Sequence, residues 1–203
     1  MKIAVLVSGG GTNLGAIIEA VNNGKIKSAE IACVVANKPG VGAIDRAEKA
    51  GIPYRVITKK EYGDNFCGEI ADYIASMGAE MVVLAGFLAI VDERIYDRFP
   101  TINVHPSLIP SFCGEGYYGL AVHEAALSYG VKVTGATVHF VNHEVDGGAI
   151  IMQKAVAIQD GDTPEVLQKR VMAEAEHIIL PEAIELFASG KIAVDGRITK
   201  INK

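Results

Sequence analysis

Short apolar runs alternate along the chain with segments whose apolar residues recur at helical spacing. Continuous apolar runs are typical of strands buried on both faces, and they predict strands at Ile3–Val7, Ile31–Ala36 and Met81–Ala85. Short strands are also predicted at Tyr54–Ile57 and Ile102–His105. The segments between them predict helices at Asn13–Asn22, Gly42–Ala50 and Glu61–Met77. Strands that alternate with helices in this way predict an α/β fold with a doubly wound, Rossmann-like, mostly parallel sheet.

The pattern changes after Pro106, where a loop rich in Gly, Pro and Tyr runs to Leu120. The remaining predicted elements are a helix at Val122–Tyr129, strands at Val131–Val141 and Ile150–Ala157, a helix at Pro164–Ser189 kinked by Pro181, and a hairpin at Ile192–Ile201. We therefore predict a single domain over residues 1–203. Its parallel half spans about 1–105, and a mixed half at about 106–203 extends the same sheet.

The composition narrows the class of protein. The 203 residues include 19 Lys and Arg against 24 Asp and Glu, a net charge of −5, and this length fits one domain. The charge argues against nucleic acid or a membrane surface as the main partner, and no apolar run approaches the ~20 residues of a membrane span. Because the apolar segment after Met1 is too short for a signal peptide, we expect a cytoplasmic protein.

The three cysteines, Cys33, Cys67 and Cys113, are widely spaced and form no C-x-x-C pair. This arrangement is typical of isolated reduced thiols. A nucleophilic Cys113 is the less favoured alternative, since this residue lies in a glycine-rich loop near other polar residues. No spacing of Cys, His and carboxylate residues matches a metal site, so we expect no bound metal.

A glycine-rich turn, Ser8–Leu14, links the first predicted strand to the first helix. Backbone N–H groups at such a helix N-terminus bind phosphate. A dinucleotide site needs a third glycine, but this chain has Leu14 at that position. It also needs an acidic residue after the second strand, where this chain has Asn37. A P-loop needs a lysine, which this turn lacks. The turn therefore favours a phosphate monoester over NAD or ATP, and a turn without a ligand is the alternative.

A second candidate, Asn103-Val104-His105-Pro106, ends a predicted strand at the edge where open α/β sheets bind ligands. Strand alternation places Asn103 and His105 on one side, where both could donate hydrogen bonds to a developing oxyanion. His105 can also carry a proton near neutral pH. The alternative is a pair of polar side chains satisfied by neighbouring loops.

Two acidic residues complete the set of candidates. Asp146 precedes Gly147 and Gly148, and this sequence is also typical of a plain turn. If the loop folds back over the sheet edge, the Asp146 carboxylate could reach His105 and favour the protonated form of the ring. Glu176, with His177, is a polar pair in an apolar stretch of the last long helix, and a surface or capping role is the alternative.

Taken in order, several motifs resemble those of the glycinamide ribonucleotide (phosphoribosylglycinamide) formyltransferases, a branch of the folate-dependent formyltransferase superfamily. The motifs are Ser8–Leu14, Val83–Phe87, Asn103–Leu108, Ala136–Phe140, Asp146–Gly148, Glu176-His177 and Pro181. The resemblance covers nearly the whole chain. It implies the formyltransferase type of α/β fold, with a mixed C-terminal extension of the sheet.

The resemblance implies a direct transfer of the formyl group of 10-formyltetrahydrofolate to the amine of glycinamide ribonucleotide, in de novo purine biosynthesis. The folate would be a co-substrate, and no bound cofactor or metal would be needed. Both partners would be small molecules, and we expect a monomer or homodimer.

The resemblance also implies roles for individual residues. Asn103 and His105 would stabilise the oxygen of the tetrahedral intermediate, and His105 would donate a proton. Asp146 would raise the pKa of His105 and help to remove the proton of the attacking amine. The other implied contacts are to the phosphate at Gly10, Gly11, Thr12 and Asn13, to the ribose at Glu176, and to the folate at Leu88, Ala89, Ile90, Val91, Asn103 and Val141.

The chain departs from the family pattern at three places. Ala89 and Gly63 stand where many relatives have basic residues, and the loop Ser111–Gly119 lacks the frequent Pro-Gly-x-His sequence. These departures leave open which residues supply the basic contacts.

Other functions remain as alternatives. A formyltetrahydrofolate hydrolase would carry an extra N-terminal domain and a methionyl-tRNA formyltransferase a C-terminal RNA-binding domain, and we expect room for neither. A non-catalytic phosphate-binding module would keep the glycine-rich turn, but would not need Asn103, His105 and Asp146 together.

Overall fold

Strands and helices alternate along residues 1–202, the part of the chain described by the structure, which is a computed structural model. The strands are β1 Lys2–Val7, β2 Glu30–Ala36, β3 Tyr54–Val56, β4 Met81–Leu84, β5 Thr101–His105, β6 Val133–Phe140, β7 Ile150–Ala157, β8 Ile192–Asp195 and β9 Ile198–Ile201. The α-helices are α1 Thr12–Asn22, α2 Gly42–Lys49, α3 Lys59–Tyr62, α4 Phe66–Ser76, α5 Glu93–Tyr96, α6 Leu120–Tyr129, α7 Pro164–Val171 and α8 His177–Ala188.

Seven strands form one sheet in the order β3-β2-β1-β4-β5-β6-β7, and β8 and β9 form a separate hairpin. Strands β1 to β5 pair in parallel, whereas β6 and β7 pair antiparallel. The predicted α/β fold with a mostly parallel sheet and a mixed C-terminal part is therefore confirmed. The chain divides into two compact units, Met1–Asn103 and a second that begins at Val104. The single domain over 1–203 stays a prediction.

The first unit is built on two fully buried strands. Every residue from Ile3 to Val7 on β1 is shielded from solvent, and so are Met81, Val82 and Val83 on β4. Such strands are covered on both faces, which explains why they are continuous apolar runs rather than alternating ones. Their parallel pairing brings the segments that follow β1 and β4 to the same edge of the sheet.

One predicted helix is broken in the structure. The helix expected at Glu61–Met77 is divided into α3, a 3₁₀ turn at Gly63–Asn65, and α4. Gly63 has φ of 52°, a left-handed conformation that ends α3 and that a glycine adopts without steric cost. The short helix α5, capped by the Asp92 side chain, follows β4 and was not predicted.

The long helix expected at Pro164–Ser189 is also interrupted. Thr163 caps α7 as its sequence suggests, but a π-helical turn at Met172–Glu176 separates α7 from α8. Pro181 lies inside α8, where it supplies no N–H to the helix. No helix within residues 1–202 is long and apolar enough to span a membrane.

Gly11 gives a test of the turn between β1 and α1. It has φ of 69°, and an added Cβ would lie 2.7 Å from both the Cα and the Cβ of Ala43 on α2. We expect Gly11→Ala to lower the free energy of unfolding by about 1–3 kcal/mol, because it adds both backbone strain and overlap. The measurement is urea denaturation at 25 °C.

Gly9→Ala is the matched control, since no atom lies within 4 Å of an added Cβ there and its φ is outside the left-handed region. Equal stability of the two variants would contradict the steric role assigned to Gly11.

Candidate active site

A buried carboxylate between two histidine rings is the centre of the site. His105 ends β5, His139 lies on β6, and Asp146 follows β6 in a turn. The Asp146 Oδ2 atom is 3.5 Å from Nδ1 of His105, and its Oδ1 atom is 3.5 Å from Nε2 of His139. The three side chains are only 2–9% exposed. The turn after β6 thus folds back far enough for Asp146 to reach His105.

The second nitrogen of His105 determines how the ring is used. Its Nε2 atom lies 2.8 Å from the main-chain oxygen of Phe112. Because a carbonyl oxygen can only accept, Nε2 carries the hydrogen. Nδ1 therefore faces Asp146 and is the nitrogen that can take up or release a proton. At 3.5 Å, this nitrogen is close to the carboxylate charge without being held in a short hydrogen bond.

The turn that carries Asp146 is tight and depends on its glycines. Phe140 N–H donates to the Ala149 carbonyl, closing the turn, and a side chain at Gly148 would overlap the Phe140 carbonyl. Asp146 itself has φ of 55°, which is uncommon for a residue other than glycine. Gly114 N–H donates a 2.9 Å hydrogen bond to Asp146 Oδ2, so the carboxylate also holds the loop after β5.

A threonine on β6 fixes the chain just after His105. The Thr137 hydroxyl donates to the Ser107 carbonyl at 2.7 Å and accepts from Ile109 N–H at 3.1 Å. The Gln153 amide on β7 adds a hydrogen bond to the Ile109 carbonyl at 2.9 Å. These contacts hold the His-Pro-Ser segment in place from the neighbouring antiparallel strands.

The pKa values of His105 and Asp146 depend on burial and on the interaction between the two side chains. Burial by itself raises the pKa of Asp146, but the contact with His139, the charge of His105 and the Gly114 N–H together hold it below its ordinary value. Burial lowers the pKa of His105; Asp146 and the Phe112 carbonyl oppose that shift, and His139 adds to it. Asp146 thus acts on His105 in the expected direction, but the net pKa of His105 is lowered because desolvation is the larger effect.

A third buried histidine, His123 on α6, lies near this pair. It is fully buried, and neither ring nitrogen hydrogen-bonds to a described residue. Burial, together with the charge of His105, lowers its pKa to about 4. His123 is therefore neutral at pH 7 and presents an uncharged ring towards the catalytic candidates.

The other candidates of the second unit and of β5 are placed as follows. Asn103 is partly buried on β5, two residues before His105, so strand alternation puts both side chains on one face. Val141 follows β6 directly and is partly buried. Glu176 ends the π-helical turn and is 5% exposed, which contradicts the alternative of a surface position.

The glycine-rich turn of the first unit has the features of an anion site. Gly11 precedes α1 in a left-handed conformation, and α1 begins at Thr12 with no acidic residue in its first turn and no side-chain cap. Its first backbone N–H groups and the positive end of its dipole thus have no competing carboxylate within the first turn. Gly10, Gly11 and Thr12 are at least partly exposed, whereas Asn13 is buried.

The segment after β4 carries the remaining candidates. Leu88 N–H donates a 2.8 Å hydrogen bond to the Ser8 hydroxyl, which ties this segment to the end of β1. Leu88 and Ile90 are largely exposed, Ala89 is partly buried, and Val91 is buried. Such exposed aliphatic side chains on an anchored segment suit contact with a flat, partly apolar ligand.

Two residues of the site were missed in the sequence. His139 lies in a strand that alternates Thr137 and His139 on one face, and that alternation was the available signal. Arg46 on α2 donates a 2.9 Å hydrogen bond from Nε to the Gly10 carbonyl and brings a positive charge to the glycine-rich turn. No local pattern reveals Arg46, because the two residues are 36 positions apart.

Two further kinds of chemistry bear on these residues, metal ligation and attack by a thiol. Within the described part of the chain, no group of three or more His, Cys, Asp or Glu side chains could hold a metal ion. Cys113 donates to the Pro110 carbonyl at 3.3 Å, and burial raises the pKa of its thiol, which disfavours a nucleophilic thiolate.

His123 makes the stability of the fold depend on pH. Its pKa of about 4 lies below the value of 6.5 in an unfolded chain, so the unfolded state binds more protons between these values. We expect the free energy of unfolding to fall by up to about 3 kcal/mol from this residue alone as the pH drops from 6.5 to 4. Urea denaturation across that range should show a smaller loss for His123→Leu than for the unsubstituted chain. Identical pH slopes would contradict this account.

The chain is similar to known proteins over its whole length. It is 39% identical to phosphoribosylglycinamide formyltransferase of Haemophilus influenzae, covering 99% of this chain and 93% of that protein. Its structure matches that of glycinamide ribonucleotide transformylase 1 from Symbiobacterium toebii with a TM-score of 0.94 and 39% identity, covering 100% of this chain and 94% of the other. It is 45% identical to trifunctional purine biosynthetic protein adenosine-3 of Gallus gallus over 96% of this chain, but spans only 19% of that protein.

The similarity extends to a family description. The Formyl transferase family model matches residues 1–184, a range that contains both the glycine-rich turn and the His105–Asp146 pair. On that match over most of its length, this protein belongs to the formyl transferase family.

Proposed function

We propose that this protein transfers the formyl group of 10-formyltetrahydrofolate to the amine of glycinamide ribonucleotide, a step of de novo purine biosynthesis. The observation that carries the proposal is the buried pair in which Nδ1 of His105 lies 3.5 Å from an Asp146 carboxylate oxygen. Formyl transfer to an amine requires one proton to move from the acceptor to the leaving nitrogen, and this pair is suited to carry it. Relatives with the corresponding names support the choice of substrates.

The proposed reaction begins with the amine attacking the formyl carbon. A new C–N bond forms, and the carbonyl oxygen gains negative charge in a tetrahedral intermediate. The Asn103 amide, on the same face of β5 as His105, donates a hydrogen bond to that oxygen. An amide donor fixed by a strand needs no reorganisation as the charge develops, which is the source of its effect on rate.

The proton then moves through His105. Neutral His105 has its hydrogen on Nε2, held by the Phe112 carbonyl, and a lone pair on Nδ1. Nδ1 takes the proton of the attacking amine and passes it to N10 of the folate as the C–N10 bond breaks and the carbonyl re-forms. Asp146 stabilises the imidazolium between these steps, and His105 ends neutral as it began. The lowered pKa of His105 keeps the ring neutral and ready to accept a proton at pH 7.

The proposal assigns the remaining candidates to binding. Gly10, Gly11, Thr12 and Asn13 hold the phosphate through α1, with Arg46 adding positive charge. Glu176 accepts hydrogen bonds from the ribose. Contacts to the folate are assigned residue by residue, to Leu88, Ala89, Ile90, Val91 and Asn103 of the first unit and to Val141 of the second.

A two-substrate assay tests the proposed function. Purified protein should produce tetrahydrofolate, followed by absorbance, only when glycinamide ribonucleotide and 10-formyltetrahydrofolate are both present. Absence of turnover with both substrates would overturn the proposal. Release of formate without the acceptor would indicate hydrolysis, with water in place of the amine.

Asp146→Asn tests the proton-carrying pair. The amide preserves the shape of the side chain but removes the charge that stabilises imidazolium, so we expect kcat to fall by about 10²–10⁴-fold. Asp195→Asn on the exposed hairpin makes the same charge change and is the matched control, expected at the unsubstituted rate. Circular dichroism and thermal unfolding check that both variants fold. An unchanged kcat in Asp146→Asn would reject the role of this carboxylate.

A further inference from the structure

We propose that Tyr129 and Tyr117 clamp the ring of Phe112 and thereby position His105 through the Phe112 carbonyl. Tyr129 is the last residue of α6, and Tyr117 lies in the loop before that helix. The inference rests on the proposed function, because it concerns how the proton-carrying ring is held. Tyr129 is then a positioning residue, which acts on the reacting atoms through Phe112 and His105.

Phe112 is under conformational strain at a point that matters for catalysis. Its φ is 48°, in the left-handed region that is sterically unfavourable for a residue with a side chain. Its carbonyl oxygen accepts the hydrogen bond from His105 Nε2 at 2.8 Å. A change in the backbone at residue 112 would therefore rotate or release the acceptor that sets the tautomer of His105.

The ring of Phe112 is held from two sides. Its centroid is 5.9 Å from that of Tyr129 at an interplanar angle of 73°, and 6.4 Å from that of Tyr117 at 62°. Both are edge-to-face arrangements, which are favourable beyond the area they bury. Tyr129 is nevertheless 80% exposed, so its ring adds little to the core of the protein. The structure gives this exposed ring an edge-to-face contact with Phe112.

Three glycines follow Phe112 in the same loop. Gly114, Gly116 and Gly119 all have left-handed φ angles and offer no side-chain contacts. Flanking hydrogen bonds hold the ends of the loop, from the Ser107 hydroxyl to the Ser111 carbonyl and from Gly114 N–H to Asp146. Between these anchors, the two aromatic contacts add to the hydrogen bonds of the Phe112 carbonyl and of the Cys113 thiol in restraining the strained residue.

The charged and titratable groups around His105 do not belong to the clamp. They are Asp146, His139 and His123, on the turn after β6, on β6 and on α6. We expect a change at the Tyr129 ring to act on His105 through the Phe112 carbonyl, because the change removes none of these groups. Loss of the Tyr129 ring should therefore change the titration of His105 while its charged neighbours stay the same.

Steady-state kinetics of Tyr129→Ala provide the first test. We expect kcat to fall by about 2- to 10-fold, the rate equivalent of one edge-to-face aromatic contact, with KM changed less than twofold. Tyr129→Phe keeps the ring and should restore the full rate. Tyr54→Ala, which removes a tyrosine ring from the exposed edge strand β3, is the control and should leave kcat unchanged.

The Phe112–Tyr129 pair allows a double-mutant cycle. If Tyr129 acts through Phe112, then Phe112→Leu combined with Tyr129→Leu should lower kcat no further than the more severe single variant. Effects on kcat that multiply would show that Tyr129 acts independently and would overturn the inference. Thermal unfolding of each variant checks that it is folded.

A nuclear magnetic resonance titration gives a readout independent of turnover. The Phe112 carbonyl raises the pKa of His105, so loss of the clamp in Tyr129→Ala should lower that pKa and reduce the fraction of the Nε2–H tautomer. The ¹⁵N signals are assigned with His105→Asn. An unchanged His105 titration in Tyr129→Ala overturns the inference, whatever the assay shows. If the unsubstituted protein shows no turnover while the titration shifts as expected, the proposed function fails and the clamp stands.

Discussion

A negative charge in a nearly closed interior is the constraint on which the second compact unit depends. The Asp146 side chain is 9% exposed, and burial alone would drive its carboxyl group towards the neutral form. The contact with His139, the positive charge of His105 when it is protonated and one backbone N–H hold the pKa of this carboxyl group below its ordinary value, and each comes from a different part of the chain: β6, β5 and the loop around Gly114. The carboxylate therefore specifies where three separate segments must lie.

The same arrangement explains why strain collects here. Within residues 1–202, Phe112 and Asp146 are the two non-glycine residues with left-handed φ angles, and both contact His105. Strained backbone persists where surrounding contacts over-determine it, and such sites are commonly functional. Phe112 directs its carbonyl at Nε2 of His105, and Asp146 directs its carboxylate at Nδ1. The two strained residues therefore face both nitrogens of the His105 ring.

The two units handle negative charge by different means. In the second unit, the charge belongs to the protein and is held by histidines. In the first, the N-terminus of α1 has no cap and no acidic first turn, so its positive end is available to a ligand. The guanidinium of Arg46 adds a local charge although the whole chain carries a net −5. Backbone dipoles and one placed cation act over short distances, so a mildly negative net charge does not exclude an anion site in this unit.

The alternation of parallel strands with helices could be predicted from apolar periodicity, because Ile3–Val7 on β1 and Met81–Leu84 on β4 are buried on both faces and are apolar. The candidates Asn103, His105 and Asp146 could be named from motifs. The break at Gly63 and the π-helical turn before α8 could not be predicted from the sequence, since the local patterns there remain helical. Only the tertiary structure decided that His139 shares the carboxylate, that Arg46 reaches Gly10 and that Phe112 holds His105. The physical reason is range: periodicity records which face of an element is buried, whereas a contact between distant residues is set by how whole elements pack.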